Sequence, residues 1–220
     1  MEKTIKEIEN KAKEYFKGSD GCHDWSHVER VRDLSLKIGK KEKANLNVLT
    51  IASLLHDIGR KEETIKKGKA CHAEIGKKIA ESILKKYNNI SEEDKNNILH
   101  CIITHRFRNN NRPETIEAKV LFDSDKLDSI GAIGLARVFA FAGGEGGSGY
   151  LYTGNEKEIA SLKEDRAYTE DDSAMLEYEI KLKRIKNLLM TKTGREIAKS
   201  RDDFMKVFVK RFWEEVKGKK

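Results

Sequence analysis

Three polar residues stand where a helix of this chain would otherwise present apolar side chains to a core. His27 precedes Val31 and Leu34 by helical steps, which predicts that its imidazole lies on the buried face of a helix. His56 and Asp57 end the most apolar helical run of the chain, and a buried carboxylate without a partner is costly. Metal coordination is the simplest way to satisfy such a group of residues.

A fourth ligand is expected from a distant segment. Adjacent residues on a helix diverge by about 100°, so His56 and Asp57 bind one metal only if ligands from elsewhere close the site. Asp125 meets that need, because its segment VLFDSDKL flanks acidic residues with apolar ones. Two imidazoles and two carboxylates suit manganese, iron, cobalt, nickel or zinc better than calcium. Hydrogen-bonded core residues without a metal remain the alternative.

Helical periodicity predicts the elements that position these residues, and no segment alternates convincingly as a strand does. The predicted helices cover residues 2–17, 24–40, 46–58, 71–87 and 92–105, and Pro113 is expected to open the next. A charged loop is predicted after Gly59 and a glycine-rich flap after Phe141. The predicted fold class is all-α: one helical bundle over residues 1–220, with a metal-site core at about 20–142 and packing helices at about 172–216.

Composition bounds the function classes. The chain has 220 residues and a formal charge of +7, with acidic and basic residues interspersed. This diffuse excess favours an anionic ligand without identifying a nucleic-acid binder. Three cysteines without paired spacing indicate reduced thiols rather than a disulfide framework. A charged N-terminal segment and the lack of a long apolar run predict a cytoplasmic protein with no membrane partner.

Three ordered motifs carry a resemblance to a known family. HDWSHVERV, LLHDIG and FDSDKLDSIGAIGLARVFAF closely resemble the signatures of the HD superfamily of metal-dependent phosphohydrolases, defined by a His, a His-Asp pair and a later Asp. The first and third motifs, with TKTGREIAKSRDDFMKVF, resemble a bacterial and archaeal subgroup that includes manganese-dependent nucleotide pyrophosphohydrolases. The resemblance spans about His23 to Trp213. It implies the HD-type helical fold and a divalent metal.

The resemblance assigns ligands by position. It implies one metal held by His27, His56, Asp57 and Asp125. Asp125 is preferred over its rival Asp123, and over the weaker candidate Asp128, because the family's final ligand is commonly followed by a basic residue and leucine. Manganese is the expected ion, with iron, nickel, cobalt, zinc or magnesium as alternatives. His23 and Asp24 are expected to orient ligands, contact substrate or cap the helix.

A second metal is a further implication of the resemblance. His72 and His105 match positions that supply a second ion in binuclear members of the superfamily. The pyrophosphohydrolase-like subgroup need not have these histidines. Contact between the two imidazoles and the substrate is the alternative, and the sequence leaves both interpretations open.

Residues beside the ligand motifs are candidates for catalysis and substrate binding. Asp57 is a candidate to accept a proton from water, and Glu62 and Glu63 to steer that water, although exposed loop charges are their alternative role. The cations expected to bind phosphate are Arg60, Lys61 and Lys126. Arg106 and Arg108 could reach the same opening.

The preferred function is hydrolysis of a small phosphorylated substrate, most simply a nucleoside triphosphate cut to monophosphate and pyrophosphate. A phosphatase acting on nucleoside monophosphates is the alternative within the same chemistry. Two other classes remain: a binuclear iron oxygenase, and a helical nucleic-acid-binding module that would leave the His and Asp constellation unexplained. The oligomeric state is not predicted.

Overall fold

The computed structural model describes residues 1–18, 24–66, 71–106, 111–144, 147–162 and 172–220. Its helices, with the bounds observed, are α1 Glu2–Tyr15, α2 Trp25–Glu42, α3 Leu46–Leu55, α4 Arg60–Ile65, α5 His72–Leu84, α6 Glu92–Thr104, α7 Ile116–Asp128, α8 Gly131–Gly143, α9 Glu156–Leu162, α10 Ala174–Glu177, α11 Lys183–Ile185 and α12 Lys192–Val216. A π-helical segment, Tyr178–Leu182, joins α10 to α11. The all-α prediction is confirmed: these ranges contain no strand.

The chain divides into two compact units. The first comprises Met1–Asp125 and Met190–Gly194, and the second comprises Lys126–Leu189 and Arg195–Lys220. The sequence-based division into one domain over residues 1–220 stays a prediction. None of the helices in the described part of the chain is long and apolar enough to cross a bilayer.

Helix α3 is the central element of the first unit. It packs against α1, α2 and α6, and α5 packs against α4 and α6. Its side chains from Val48 to Leu55 are buried apart from that of Thr50, in agreement with its apolar sequence. The Asn45 side chain caps α3 by accepting hydrogen bonds from the backbone of Asn47 and Val48. Because α3 is surrounded by helices, the residues at its C-terminal end also enter the core.

Two local predictions were wrong. The charged segment after Gly59 is helix α4 rather than a loop up to Ile65, and residues 67–70 lie outside the described part. Pro113 does not open a helix, because the next helix begins at Ile116. Thr115 supplies the start instead: its hydroxyl oxygen accepts a hydrogen bond from the Ala118 backbone N–H at 3.1 Å.

The second unit is built around α8 and most of α12. Phe139 packs against Phe208 and Phe212, and Tyr152 packs against Phe212 and Trp213. Helices α10, α11 and α12 lie in the range 172–216, and the π-helical segment interrupts the first of the two long helices expected there. Their role as packing helices stays a prediction. Helix α8 extends to Gly143 and α9 begins at Glu156, so the predicted glycine-rich flap is shorter than its sequence suggested. Residues 145 and 146 within it are outside the described part.

Candidate metal centre

The His-Asp pair lies in a tight turn between α3 and α4. His56 is the C-cap residue of α3, and both His56 and Asp57 are fully buried. Gly59 completes the turn against α5: a Cβ there would lie 2.3 Å from the His72 carbonyl oxygen. Only glycine permits so close an approach. The turn therefore brings Asp57 next to the first residue of α5, His72.

Helix ends fix the orientation of two imidazoles. His56 Nδ1–H donates to the Ser53 carbonyl oxygen at 2.8 Å, and His105 Nδ1–H donates to the Ile102 carbonyl oxygen at 2.6 Å. These carbonyls belong to the last turns of α3 and α6, where no backbone N–H of the same helix is available. Since a carbonyl can only accept, the ring proton lies on Nδ1 in both residues. Each ring thus directs its Nε2 atom to the interior, and a ring protonated on Nδ1 alone carries a lone pair there.

A carboxylate orients the third imidazole. Glu63 Oε2 accepts from His72 Nδ1–H at 2.8 Å, and Arg106 binds the other oxygen of Glu63. Arg106 Nη1 also lies 2.9 Å from His72 Nδ1, but the ionised carboxylate requires the ring N–H as its donor, so we assign the proton to Nδ1. His72 Nε2 then carries a lone pair, and it lies only 3.1 Å from His105 Nε2.

Asp57 lies between two groups of ligand atoms. Its Oδ2 is 3.6 Å from His27 Nε2 and 3.7 Å from His56 Nε2, and the His27 nitrogen is 3.5 Å from Asp125 Oδ1. Its Oδ1 is 3.4 Å from the Nε2 atoms of both His72 and His105. We call the group around Oδ2 (His27, His56, Asp57, Asp125) the first set. The second set is the group around Oδ1 (Asp57, His72, His105).

The second set tests whether a metal fits. Asp57 Oδ1 is buried, and within the described residues it accepts no hydrogen bond. His72 Nε2 and His105 Nε2 each lie 3.4 Å from this oxygen and 3.1 Å from each other. In their unprotonated forms these three electron-rich atoms repel one another unless a cation lies among them. The ligand atoms of His27, His56 and Asp57 likewise lie within 4.8 Å of one another. Both sets therefore fit a divalent cation with nitrogen and oxygen ligands.

The charge states suit metal binding. Burial lowers the pKa of His56 to about 4 and that of His72 to about 3, so both imidazoles are neutral near pH 7. Burial raises the pKa of the Asp57 carboxyl, but Arg60 and the surrounding imidazoles outweigh it and hold this pKa well below its usual value. Neutral imidazoles and an ionised carboxylate are the forms that coordinate metals.

The three aspartates of α7, Asp123, Asp125 and Asp128, have different surroundings. Asp123 is fully buried and accepts from the backbone N–H groups of Met190 and Thr191 and from the Thr191 hydroxyl, at 2.7 to 2.8 Å. Asp128 pairs with Arg137 at 3.0 Å. Asp125 is the one that approaches His27. The geometry thus favours Asp125 as the fourth ligand and gives Asp123 a structural role.

The remaining predicted residues lie in varied places. Asp24 caps α2 by accepting from the His27 backbone N–H, whereas His23 and Arg108 lie outside the described residues. Glu62 is exposed, with Lys66 Nζ 3.9 Å from its carboxylate, so the structure does not bring it to either set. Lys61 is exposed and donates to the Lys17 carbonyl oxygen. Lys126 is half-buried in the second unit, and Arg60 contacts Asp57.

Sequence reasoning did not find two of these contacts. Neither the bond from Arg60 to Asp57 nor the chain from Arg106 through Glu63 to His72 was expected. Arg60 follows Asp57 by three residues, so a helical α4 would have indicated their proximity. The Glu63 contacts span 9 and 43 residues and leave no local signal in the sequence.

Known proteins resemble the chain in sequence and structure. The HD domain model matches residues 24–130. The uncharacterized protein YpgQ of Bacillus subtilis strain 168 is 31% identical over 205 residues, covering 89% of this chain and 85% of that protein. A crystal structure of Bacillus subtilis YpgQ in complex with ADP has a TM-score of 0.73 and 29% identity, and the match covers 98% of this chain and 100% of that one.

Two further solved structures are called HD-superfamily hydrolases. One, from an uncultured Thermotogales bacterium, has a TM-score of 0.67 and 28% identity, with 96% of this chain and 91% of that chain covered. The other, from Bacillus thuringiensis, has a TM-score of 0.73 and 25% identity, with 98% of each chain covered. The matched domain contains the buried His-Asp pair and the histidines around it. The chain therefore belongs to the HD-domain superfamily of metal-dependent phosphohydrolases.

Proposed function

We propose that this chain hydrolyses nucleotides, cleaving a nucleoside or deoxynucleoside triphosphate to the monophosphate and pyrophosphate with a divalent metal, preferably manganese. The observation that carries the proposal is the buried Asp57 carboxylate, whose two oxygens each face imidazole nitrogens. The ADP in the Bacillus subtilis YpgQ crystal structure supports a nucleotide as the ligand class. The motif resemblance supports the pyrophosphate-releasing reaction.

The metal ligands proposed are His27, His56, Asp57 and Asp125, with His72 and His105 available for a second ion. A divalent cation held there supplies Lewis acidity, which lowers the pKa of water and withdraws charge from a phosphoryl oxygen. The chain's own contribution is to keep His56 and His72 neutral and to direct the Nε2 atoms of His56 and His105 inward. Burial of Asp57 and the four imidazoles excludes competing water and strengthens each charge interaction.

Other residues surround the proposed metal ligands. Glu63 holds the Nδ1 proton of His72 and is itself held by Arg106, so we assign it a positioning role rather than direct catalysis. The role of Asp57 as proton acceptor and the roles of Glu62 and Glu63 in steering water stay predictions. The phosphate contacts of Lys61, Lys126 and His23 also stay predictions. Arg60 is half-buried at the edge of the first set, where an anionic substrate would meet it.

The test is product analysis with a panel of deoxynucleoside triphosphates and Mn²⁺, in which phosphate and pyrophosphate are quantified separately. Asp57→Ala is compared with Asp33→Ala, the same change at an exposed carboxylate of α2. Pyrophosphate release that is lost only in Asp57→Ala supports the proposal. Phosphate release from nucleoside monophosphates instead would replace it with the phosphatase function.

A binuclear iron oxygenase remains a second candidate because His72 and His105 do converge on Asp57. Iron that stays bound through gel filtration, together with oxygen consumption in the presence of an organic phosphate or phosphonate, would favour that function. Hydrolysis under anaerobic conditions with Mn²⁺ would count against it, since hydrolysis consumes no oxygen.

A further inference from the structure

Arg60 occupies the same carboxylate oxygen that the first set offers to a metal. Its Nε–H donates to Asp57 Oδ2 at 2.5 Å, whereas the His27 and His56 nitrogens lie 3.6 and 3.7 Å from that oxygen. The Asp57 side chain is completely buried and that of Arg60 is 28% exposed. A permanent cation therefore holds Oδ2, while Oδ1 has no hydrogen-bond donor among the described residues.

This contact has two opposed consequences for charge. Without metal, Arg60 compensates a buried carboxylate that would otherwise lack a cation. A divalent ion bound at Oδ2 would lie within a few ångströms of the guanidinium, and two positive charges so close in a poorly solvated site repel each other strongly. Because α4 begins at Arg60 and the side chain reaches solvent, the guanidinium can turn outward without disturbing α3.

We propose that Arg60 is a built-in competitor of the metal at the first set: it stabilises the metal-free protein by holding Asp57 Oδ2, and a divalent ion must displace it. The proposal rests on the proposed metal-dependent function. A metal ion that displaces Arg60 leaves a partly exposed guanidinium beside the loaded centre, available to an anionic ligand. The exchange therefore links metal occupancy to the readiness of the site for a phosphorylated substrate.

The test compares Arg60→Gln with Lys61→Gln, the same change at the exposed neighbouring cation of α4. Metal is removed with EDTA and the protein is dialysed, and Mn²⁺ binding is then measured by calorimetry and melting temperature with and without Mn²⁺. We expect Arg60→Gln to tighten binding of the first Mn²⁺ by about tenfold or more. Its melting temperature should fall in EDTA and fall less with Mn²⁺, whereas Lys61→Gln should match the native protein in both measurements.

Unchanged or weaker Mn²⁺ binding by Arg60→Gln would overturn the proposal, because Arg60 would then support the ligand carboxylate rather than compete for it. Arg60→Lys retains a cation and should keep Mn²⁺ affinity closer to the native value. If Arg60→Gln does not fold without metal, its rate of Mn²⁺ loss to excess EDTA replaces calorimetry, and slower loss than from the native protein is expected. A native chain that binds no divalent metal would refute the proposed function as well, whereas normal native binding with no difference in the variant refutes only the competition.

Discussion

The two sides of Asp57 use one carboxylate in different ways. In the first set, Oδ2 is held by the Arg60 guanidinium, and a second carboxylate, Asp125, lies nearby. In the second set, Oδ1 has no hydrogen-bond donor in the described part of the chain and faces two imidazole nitrogens. The first set has more negative charge but a competing cation, and the second has less charge but no such competitor. One buried residue can thus offer two cation sites of different electrostatic character.

Removing one histidine from each set should have the largest effect and tests whether the two sets are separate sites. His27→Ala should reduce the rate of hydrolysis by more than about 100-fold. Loss of a residue that only hydrogen-bonds to a ligand typically costs about 10 to 100-fold, and loss of the ligand itself should cost more. His105→Ala should instead lower the metal content by one ion per chain. Elemental analysis after gel filtration, together with turnover assays, measures both quantities.

His100→Ala is the matched control for these two variants. His100 is half-buried and accepts a hydrogen bond from the Glu114 backbone N–H, away from both sets. It should retain native metal content. Loss of both ions in either His27→Ala or His105→Ala would contradict the separation into two sites.

Substitutions of Asp125 and Asp123 in α7 distinguish a metal ligand from a structural carboxylate. Asp125→Asn should weaken metal binding and leave the free energy of unfolding of the metal-free protein nearly unchanged. Asp123→Asn should do the reverse and lower the free energy of unfolding by roughly 3 kcal/mol, because its buried charge accepts hydrogen bonds from Met190 and Thr191. Urea unfolding in EDTA and Mn²⁺ titration distinguish them. If Asp123→Asn lost metal and Asp125→Asn did not, Asp123 would be the ligand and Asp125 the structural residue.

Glu63 tests how the second set is oriented. Glu63→Gln should weaken the second metal by about 10 to 100-fold, because a carboxylate no longer fixes the His72 ring proton. The first metal should be affected little. Glu62→Gln is the control, since this side chain is exposed and its ion-pair partner is Lys66. Calorimetry resolves the two binding steps, and identical behaviour of the two variants would remove Glu63 from the positioning role.

Acid should reveal that His56 and His72 are buried in the neutral form. The folded-state pKa values are about 4 for His56 and about 3 for His72, below the ordinary value of 6.5. The unfolded chain therefore binds protons first as the pH falls, and stability is lost from about pH 6.5 down to these values. Each histidine costs up to about 1.4 kcal/mol per pH unit in that window. Urea unfolding of the metal-free protein at several pH values measures this slope, and a flat profile would contradict it.

Much of the fold was predictable because its helices have clear apolar periodicity and end signals. Helices α2 and α6 match the sequence expectation to within a few residues, and the His-Asp pair was recognisable at the end of α3. Thr115 was missed as the start of α7 because Pro113 gives a stronger local signal than a hydroxyl. The interrupted helix containing Tyr178–Leu182 was also missed, since a π-helical segment has no simple pattern.

The site was predictable in part. The position of Asp57 at the end of an apolar helix made it a candidate ligand, but hydrogen-bonded core residues remained the alternative until the family resemblance was added. The choice between Asp123 and Asp125 could not be made physically from sequence, because the partners of Asp123 lie 67 and 68 residues away. The same holds for Arg106 and Glu63, which are separated by 43 residues.

The bonds from His56 and His105 to backbone carbonyls three residues earlier bear on how such a centre could be grafted onto another protein. Their acceptors are main-chain atoms at helix ends, so these two rings would keep their orientation in any helix of the same length and packing. His72 would need Glu63 transplanted with it, because its anchor is a side chain. A designer could therefore install the half of the centre around His56 with few changes. In the half around His72, a single codon at position 63 would decide whether that ring keeps its anchor.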